Sequence, residues 1–307
     1  MSTKILNRWL NNPIYFRCGF FLIITLIIVL YFLKTDHDQI YIFFLIATIF
    51  FGIGFNNKSV WFLIINTTFI VAGRFIIDPR QWNLQSILIF ELTYLLIMFI
   101  SVELMKRTQK IKKDNLELIQ ALSKALDSRD TYTSHHSQNV AHYAVEIAKR
   151  MNLSKKEIDI IYKGGLLHDI GKIGIPEYVL LKPGRLTKEE YSIIKRHPVI
   201  GYEMIKHVSE FKEKGILEIV LHHHERYDGL GYPKGLVEEQ IPLGARILAI
   251  ADTYDAMTSK RIYRSEIDLE STLKEIEKNK GSQFDPEITD VFLSLFENQN
   301  HLNRNIV

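Results

Sequence analysis

The sequence predicts an all-α chain in two parts: an N-terminal group of about four transmembrane helices, then an all-helical globular bundle. Three observations lead there. Four long apolar runs fill the first hundred residues. Beyond them, apolar residues recur at a 3.6-residue period, as in Val140, Ala144, Ile147 and Ala148, the spacing of one helix face. Helix start signals punctuate that second part, and no convincing alternating strand interrupts it.

The apolar runs are Ile14–Leu33, Ile40–Phe55, Val60–Ile77 and Leu84–Leu104. A span needs about 20 mostly apolar residues, which the first and last runs supply. The middle two are shorter and separated by Asn56-Asn57-Lys58-Ser59; a tight helical hairpin accommodates them. Segments such as FFLIITLIIVLYFL have no polar face, unlike a soluble helix. Lys4, Arg8 and Arg17 flank the first span, and Lys106, Arg107, Lys110, Lys112 and Lys113 follow the last. The positive-inside rule then places both ends in the cytoplasm, with the membrane crossed an even number of times. Arg74 and Glu91 fall inside apolar runs. At membrane depth such charges pair or line water; an Arg–Glu pair between the last two spans, snorkelling of Arg74, or a sensing contact are the readings.

Residues 1–105 are thus the transmembrane region, 106–126 a helical connector and 115–307 the globular domain, the last two overlapping. In the connector, Ile111, Leu118, Leu122 and Ala125 recur at helical steps, with Ile119 and Leu126 widening the stripe. Either a dimerising helix or the domain's own first helix would show this pattern. The 307 residues carry a formal charge of +3, which gives no basic surface for a nucleic-acid polymer. With Cys18 as the single cysteine, neither an intrachain disulfide nor a thiolate metal site is available.

In the globular part, Ser154-Lys-Lys-Glu157 and Thr187-Lys-Glu-Glu190 fit the capping box. Pro242 and Pro286 suit first helical turns, the latter after Asp285 as N-cap. Against this frame stand seven side chains: His136, His168, Asp169, His197, His223, His224 and Asp252. His136 is expected in the first turn of a helix starting near Thr133. His168 and Asp169 close the helix begun at Ser154; His197 precedes Pro198 at an element boundary. His223 and His224 end an apolar helix. Asp252 lies among Leu248-Ala-Ile-Ala251 and Ala256, on a helix that must be buried, and a buried carboxylate needs a partner. Imidazole and carboxylate suit manganese, iron and similar divalent ions. Two such ions close together activate water and clamp a phosphodiester.

The motifs LLHDIGKIGIP (166–176), HP (197–198), HHERYDGLGYP (223–233), ARILAIADTYDAMTS (245–259) and FDP (284–286) make the chain resemble the HD-GYP family of metal-dependent phosphohydrolases, over roughly Leu116 to Leu295. The resemblance implies a bacterial protein of the inner (plasma) membrane whose helical domain hydrolyses cyclic di-GMP, either to pGpG or on to GMP by a second cut. It also implies how the ligands divide. His136, His168, Asp169 and Asp252 serve one ion; Asp169 bridges to a second, held by His197, His223 and His224. His135 and His222 fall outside the set. Lys172 would meet the scissile phosphate, Arg261 and Arg264 the guanine and phosphate, and Tyr232 would line the pocket. Catalysis is thereby assigned to Asp169 and Lys172, the cofactor to two ions of iron or manganese.

The sequence departs from the family pattern at three places. Tyr132 replaces a glutamate that supports a third ion in some relatives, which argues for two. Asn139 stands where arginine is frequent, and Ile262 replaces a proline between Arg261 and Tyr263. Two other readings fit the same residues: an idle receptor whose GYP loop docks proteins, or a phosphodiesterase for another cyclic dinucleotide. Expected partners are the dinucleotide, the lipid bilayer, a second copy through the connector, and proteins at the GYP loop.

Overall fold

The computed structural model describes residues 9, 12–33, 37–77, 83–129, 135–259 and 267–304, with backbone alone at 37–39, 213–214 and 297–304. Among them the regular structure is helical; extended pairing is limited to the isolated bridges Asp228–Val237 and Lys280–Phe284. Backbone contacts divide the chain into Met1–Asn115 and Leu116–Val307.

The first unit contains α1 (Pro13–Phe32), α2 (His37–Gly54), α3 (Val60–Ile77) and the first part of α4 (Leu84–Arg129). Three of these helices, α1, α3 and α4, are long and apolar enough to cross a membrane; the apolar stretch of α2, Ile40–Gly54, is shorter. Asn12 caps α1 by accepting from Ile14 N, with Pro13 at the first position, where a missing N–H costs nothing. The four helices meet around Ile27, Phe44, Phe51, Leu63, Tyr94 and Met98. Leu22, Trp61, Phe69, Ile76, Leu88 and Leu92 face outward.

Of the three readings for Arg74 and Glu91, the pair between them does not form among the described residues. Arg74 is buried, donates to the Tyr94 hydroxyl at 3.1 Å and lies 3.8 Å from the Phe90 ring centroid. Glu91 accepts from Thr68 Oγ1 at 2.7 Å. Aromatic faces and a neighbouring hydroxyl thus meet the two charges separately.

The second difference concerns α4. The last apolar run and the connector form one helix of 46 residues, because no glycine or proline stands between Leu84 and Arg129 to end it. Its connector faces divide: Ile119 and Leu126 are buried, while Ile111, Leu118 and Leu122 are exposed.

The second unit adds α5 (His136–Arg150), α6 (Lys155–Leu167), a 3₁₀ turn (Ile170–Gly174), α7 (Glu177–Leu180), α8 (Lys188–Ile194), α9 (His197–Ile205), α10 (Ser209–Lys214), α11 (Ile216–His222), α12 (Leu243–Thr258), α13 (Leu269–Lys278) and α14 (Pro286–Arg304). A further 3₁₀ turn covers Glu238–Gln240. Both capping boxes form, at Ser154 with Glu157 and Thr187 with Glu190. Asp285 accepts from Glu287 N and Ile288 N at the start of α14 and is ion-paired with Arg246. Pro242 takes the N-cap of α12, one position before its expected place. Helix α5 begins at His136, later than Thr133, after His135 in a left-handed conformation (φ 76°); residues 130–134 lie outside the described set.

Helix α12 lies at the centre of this unit. Its Ile247, Leu248, Ile250 and Ala251 join Val140, Ala144 and Ile147 of α5, Ile161 of α6, Ile219 of α11 and Phe292 of α14 in one core. A second core gathers Ile119, Ala141, Leu166, Leu167, Ile170 and Val220. Each fully buried aliphatic side chain contributes about 1.5–3 kcal/mol. The seams therefore hold α5, α6, α11 and α12 with their polar ends converging.

Candidate metal centre

Four helix ends place four of the imidazoles. Helix α6 stops at Leu167; His168 caps it, and Asp169 precedes the 3₁₀ turn. Helix α9 starts at His197 with Pro198 in its first turn. Helix α11 ends at His222, and His223 caps it. His136 opens α5.

Gly171 allows the approach of the 3₁₀ turn to α9. A Cβ built on it would lie 1.9 Å from the His197 carbonyl oxygen and 2.5 Å from Gly201 N. Any side chain there would push Asp169 and His197 apart.

Three rings share one anchoring device. Nδ1 bonds the carbonyl three residues earlier: His168 to Gly165 at 2.7 Å, His197 to Ile194 at 2.8 Å and His223 to Val220 at 2.8 Å. That bond puts the hydrogen on Nδ1 and leaves the Nε2 lone pair facing inward. His136 is anchored by a carboxylate, Nδ1 lying 2.6 Å from Asp255 Oδ2.

Asp169 stands between two groups of nitrogen donors. Its Oδ1 is 3.2 Å from His197 Nε2. Its Oδ2 is 3.3 Å from His168 Nε2, 3.7 Å from His136 Nε2 and 2.7 Å from Lys172 Nζ. The ligand atoms of Asp169, His197, His223 and His224 lie within 4.8 Å of one another, as do those of His136, His168 and Asp169. Asp252 Oδ1 joins the second group, 3.3 Å from His136 Nε2.

These donors fit divalent metal. The buried Nε2 of His168 makes no hydrogen bond. His197 Nε2 and His223 Nε2 are 3.2 Å apart, so two inward lone pairs face each other. Orphaned acceptors in a buried site cost free energy unless a cation or proton lies between them. Two donors each about 2.1 Å from one ion fall within such separations.

Electrostatics prepare the two groups differently. Burial drives the His223 and His224 rings towards neutrality, His224 down to about 3. Burial also opposes charge on His136, yet hydrogen bonds to Asp252 and Asp255 prevail and push it up to about 10. His168 moves the same way, burial being outweighed by Asp169. Burial would raise Asp169, but the Lys172 and His168 charges hold it well below the usual carboxylate range. Against burial again, His136 keeps Asp252 low.

All seven expected ligands therefore meet at one place. Lys172 reaches it as well, and Tyr232 lies at its edge, its ring 4.9 Å from that of His224 and 4.8 Å from Lys195 Nζ. Burial pushes the Tyr232 hydroxyl upward. The GYP loop is built around Glu225, whose carboxylate accepts from Lys234 N at 2.7 Å and Leu236 N at 3.2 Å. Gly231 packs with its Cα against the Glu225–Arg226 backbone. His222 is buried next to the ligands, 3.5 Å from Glu225. Arg261 and Arg264 lie outside the described residues, as do Tyr132 and Ile262.

Sequence reasoning missed the residues behind the ligands. Asp255 is buried and also accepts from Asn139 Nδ2 at 2.9 Å. The available signal was its position three residues after Asp252 on an apolar helix, which puts both on one face. Asp127, Arg129 and Glu225 carried no comparable local mark.

Comparison with known proteins gives the family of the domain. Residues 120–288 match the HD domain family. Over 191 residues the chain is 42% identical to the cyclic di-GMP phosphodiesterase response regulator RpfG of Xanthomonas campestris pv. campestris, covering 62% of this chain and 50% of that protein. It is 41% identical over 179 residues to a cyclic di-GMP phosphodiesterase of Thermotoga maritima (58% and 49% covered). Identity to the 3′3′-cGAMP-specific phosphodiesterase 2 of Vibrio cholerae is 35% over 183 residues (60% and 35% covered). The chain spans half or less of the length of these relatives. With a matching stretch of more than half its length, the chain belongs to the HD domain family.

Proposed function

We propose that this protein is a metal-dependent phosphodiesterase that cleaves a 3′–5′ phosphodiester of cyclic di-GMP, yielding pGpG and then GMP. The observation that carries this reading is Asp169, one carboxylate facing two separate groups of buried nitrogen donors. His136, His168, Asp169 and Asp252 would hold one ion, and Asp169, His197, His223 and His224 the other. Iron or manganese suits this donor set. When bound, the pair supplies acidified water and neutralises charge on the phosphate.

The chain's own groups do the rest. Asp169, already ionised, sets the spacing of the two sites. Lys172, 2.7 Å from Asp169, would offset charge developing on a non-bridging phosphate oxygen. The Tyr232 ring, beside that of His224, would line the substrate site, and Arg261 and Arg264 are assigned to guanine and phosphate. The three long apolar helices together with the shorter apolar stretch Ile40–Gly54, four crossings in all, and the basic residues flanking the first and last runs support an inner-membrane protein with its N-terminus and HD domain in the cytoplasm. Exposed Ile111, Leu118 and Leu122 on α4 support pairing with a second copy. Leu230 protrudes from the GYP loop, 78% exposed, as a contact for protein partners.

One observation favours a second substrate: the relative that is 35% identical is named as specific for 3′3′-cGAMP. The test is full-length protein in detergent micelles, loaded with manganese or with iron under reducing conditions. Cyclic di-GMP, 3′3′-cGAMP and cyclic di-AMP are supplied together and the products resolved by chromatography. Cleavage preferring cyclic di-GMP supports the proposal, and preference for 3′3′-cGAMP replaces the substrate. Tight binding without cleavage would make the protein a receptor and overturn the enzymatic reading.

A further inference from the structure

The last turn of α4 holds the metal centre from two sides. Arg129 is the final residue of that helix. Its Nη1 donates to the carbonyls of Lys172 at 3.0 Å and Ile173 at 2.6 Å, and its Nη2 to that of Ile175 at 3.0 Å. These carbonyls close the 3₁₀ turn that carries Lys172, where a helix end leaves acceptors short of intrahelical donors. Two residues earlier, buried Asp127 accepts from Ser137 Oγ at 2.7 Å and Ser137 N at 3.3 Å. Ser137 directly follows His136.

Asp127 and Arg129 therefore grip two segments that converge on the same carboxylate. Lys172 approaches Asp169 Oδ2 at 2.7 Å and His136 approaches it at 3.7 Å. We infer that Asp127 and Arg129 are positioning residues. They set the places of His136 and Lys172 on either side of Asp169, so that a displacement of α4's last turn changes metal retention and turnover together. This rests on the phosphodiesterase reading for its catalytic half. Arginine is required by the geometry, because one planar fork serves three carbonyls; a lysine has the charge without the fork. Asp127 needs both oxygens, one for each Ser137 donor.

The experiment uses the full-length chain in micelles with manganese. Arg129→Lys should lower kcat by on the order of ten- to a hundredfold, the scale of a small misplacement of a catalytic group, with KM and manganese content near wild type. In a Lys172→Ala background the same change should cost less than about twofold, because residues acting as a unit are not additive. Multiplying losses would show that Arg129 does not act through Lys172 and would overturn its assignment. A readout without turnover runs in parallel. Amide exchange across 172–175 should speed up by about tenfold in Arg129→Lys, the worth of one to two lost hydrogen bonds, with α5 unchanged. Unaltered exchange there refutes the Arg129 role even if the wild type cleaves no cyclic dinucleotide. For Asp127→Asn, manganese affinity should fall at the His136 group and hold at the His197 group, with Ser137→Ala giving a smaller loss in the same direction. Affinity within about twofold of wild type at both groups, less than a tenfold step of 1.4 kcal/mol, removes Asp127 from the scheme.

Discussion

Replacing Asp255 with asparagine keeps the volume of the side chain and removes its charge. In the native arrangement Asp255 serves two neighbours, His136 Nδ1 at 2.6 Å and Asn139 Nδ2 at 2.9 Å. Asparagine has one acceptor oxygen, so one of those groups must face an amide N–H₂ in a buried place. If the oxygen stays with His136, Asn139 is displaced; if it turns to Asn139, His136 loses its anchor. An outer partner of a metal-ligating imidazole is worth about 10–100-fold in metal affinity, or about 1.4–2.7 kcal/mol. A second effect opposes this loss. Asp255 is one of two carboxylates that push the His136 pKa up to about 10, and removing it weakens the proton's competition for the ring. The net loss should therefore sit near the tenfold end. Calorimetric manganese titration of full-length protein in micelles resolves the two groups, and the His197, His223 and His224 group should be unaffected. Unchanged affinity at both groups, or equal losses at both, would refute the idea that Asp255 acts by orienting His136.

The two groups should differ in pH dependence. His136, pushed up to about 10, is protonated at neutral pH and must release that proton to bind metal, so apparent affinity at its group should rise by up to about tenfold per pH unit between pH 7 and 9. His223 and His224 are already neutral, and manganese titration at their group should be nearly flat over that range; identical slopes would contradict the assignment. Gly171→Ala should destabilise the protein by about 3 kcal/mol or more, the upper range for overpacking, because backbone atoms rather than a flexible side chain receive the new Cβ. A melting temperature within error of wild type would show that α9 can withdraw. Glu225→Gln turns one acceptor of the GYP loop into a donor facing a backbone N–H, a cost of about 1–3 kcal/mol. Raised KM with retained manganese is the expected result, and retained KM would detach the loop from substrate binding.

Helix ends were legible because they depend on local chemistry. The capping boxes at Ser154 and Thr187 and the Asp285 cap before Pro286 need only side chains three residues away or nearer. The seven candidate ligands were legible for a related reason: histidines and aspartates at helix ends and on an apolar helix are conspicuous against the surrounding pattern. What surrounds them was not. The i−3 carbonyl bonds of His168, His197 and His223 arise from how each helix ends in three dimensions. Asp255, Asn139, Asp127 and Arg129 act across separations from 10 to 119 residues, where no local periodicity announces a partner. Arg74 and Glu91 make the same point in the first unit. Charge complementarity suggested a pair, but packing set Arg74 on Phe90 and Tyr94 and Glu91 on Thr68.

By itself the sequence determined the helical class, the division between the apolar and mixed-composition parts, and the donor chemistry of the candidate site, because these follow from hydrophobic period, capping and residue type. Only the tertiary structure decided that Asp169 turns one oxygen to each group of imidazoles, that Asp255 orients His136, and that α4 ends in a grip on the Lys172 turn. Those are distances between segments remote along the chain, and they exist only once burial of the shared core has brought the helix ends together.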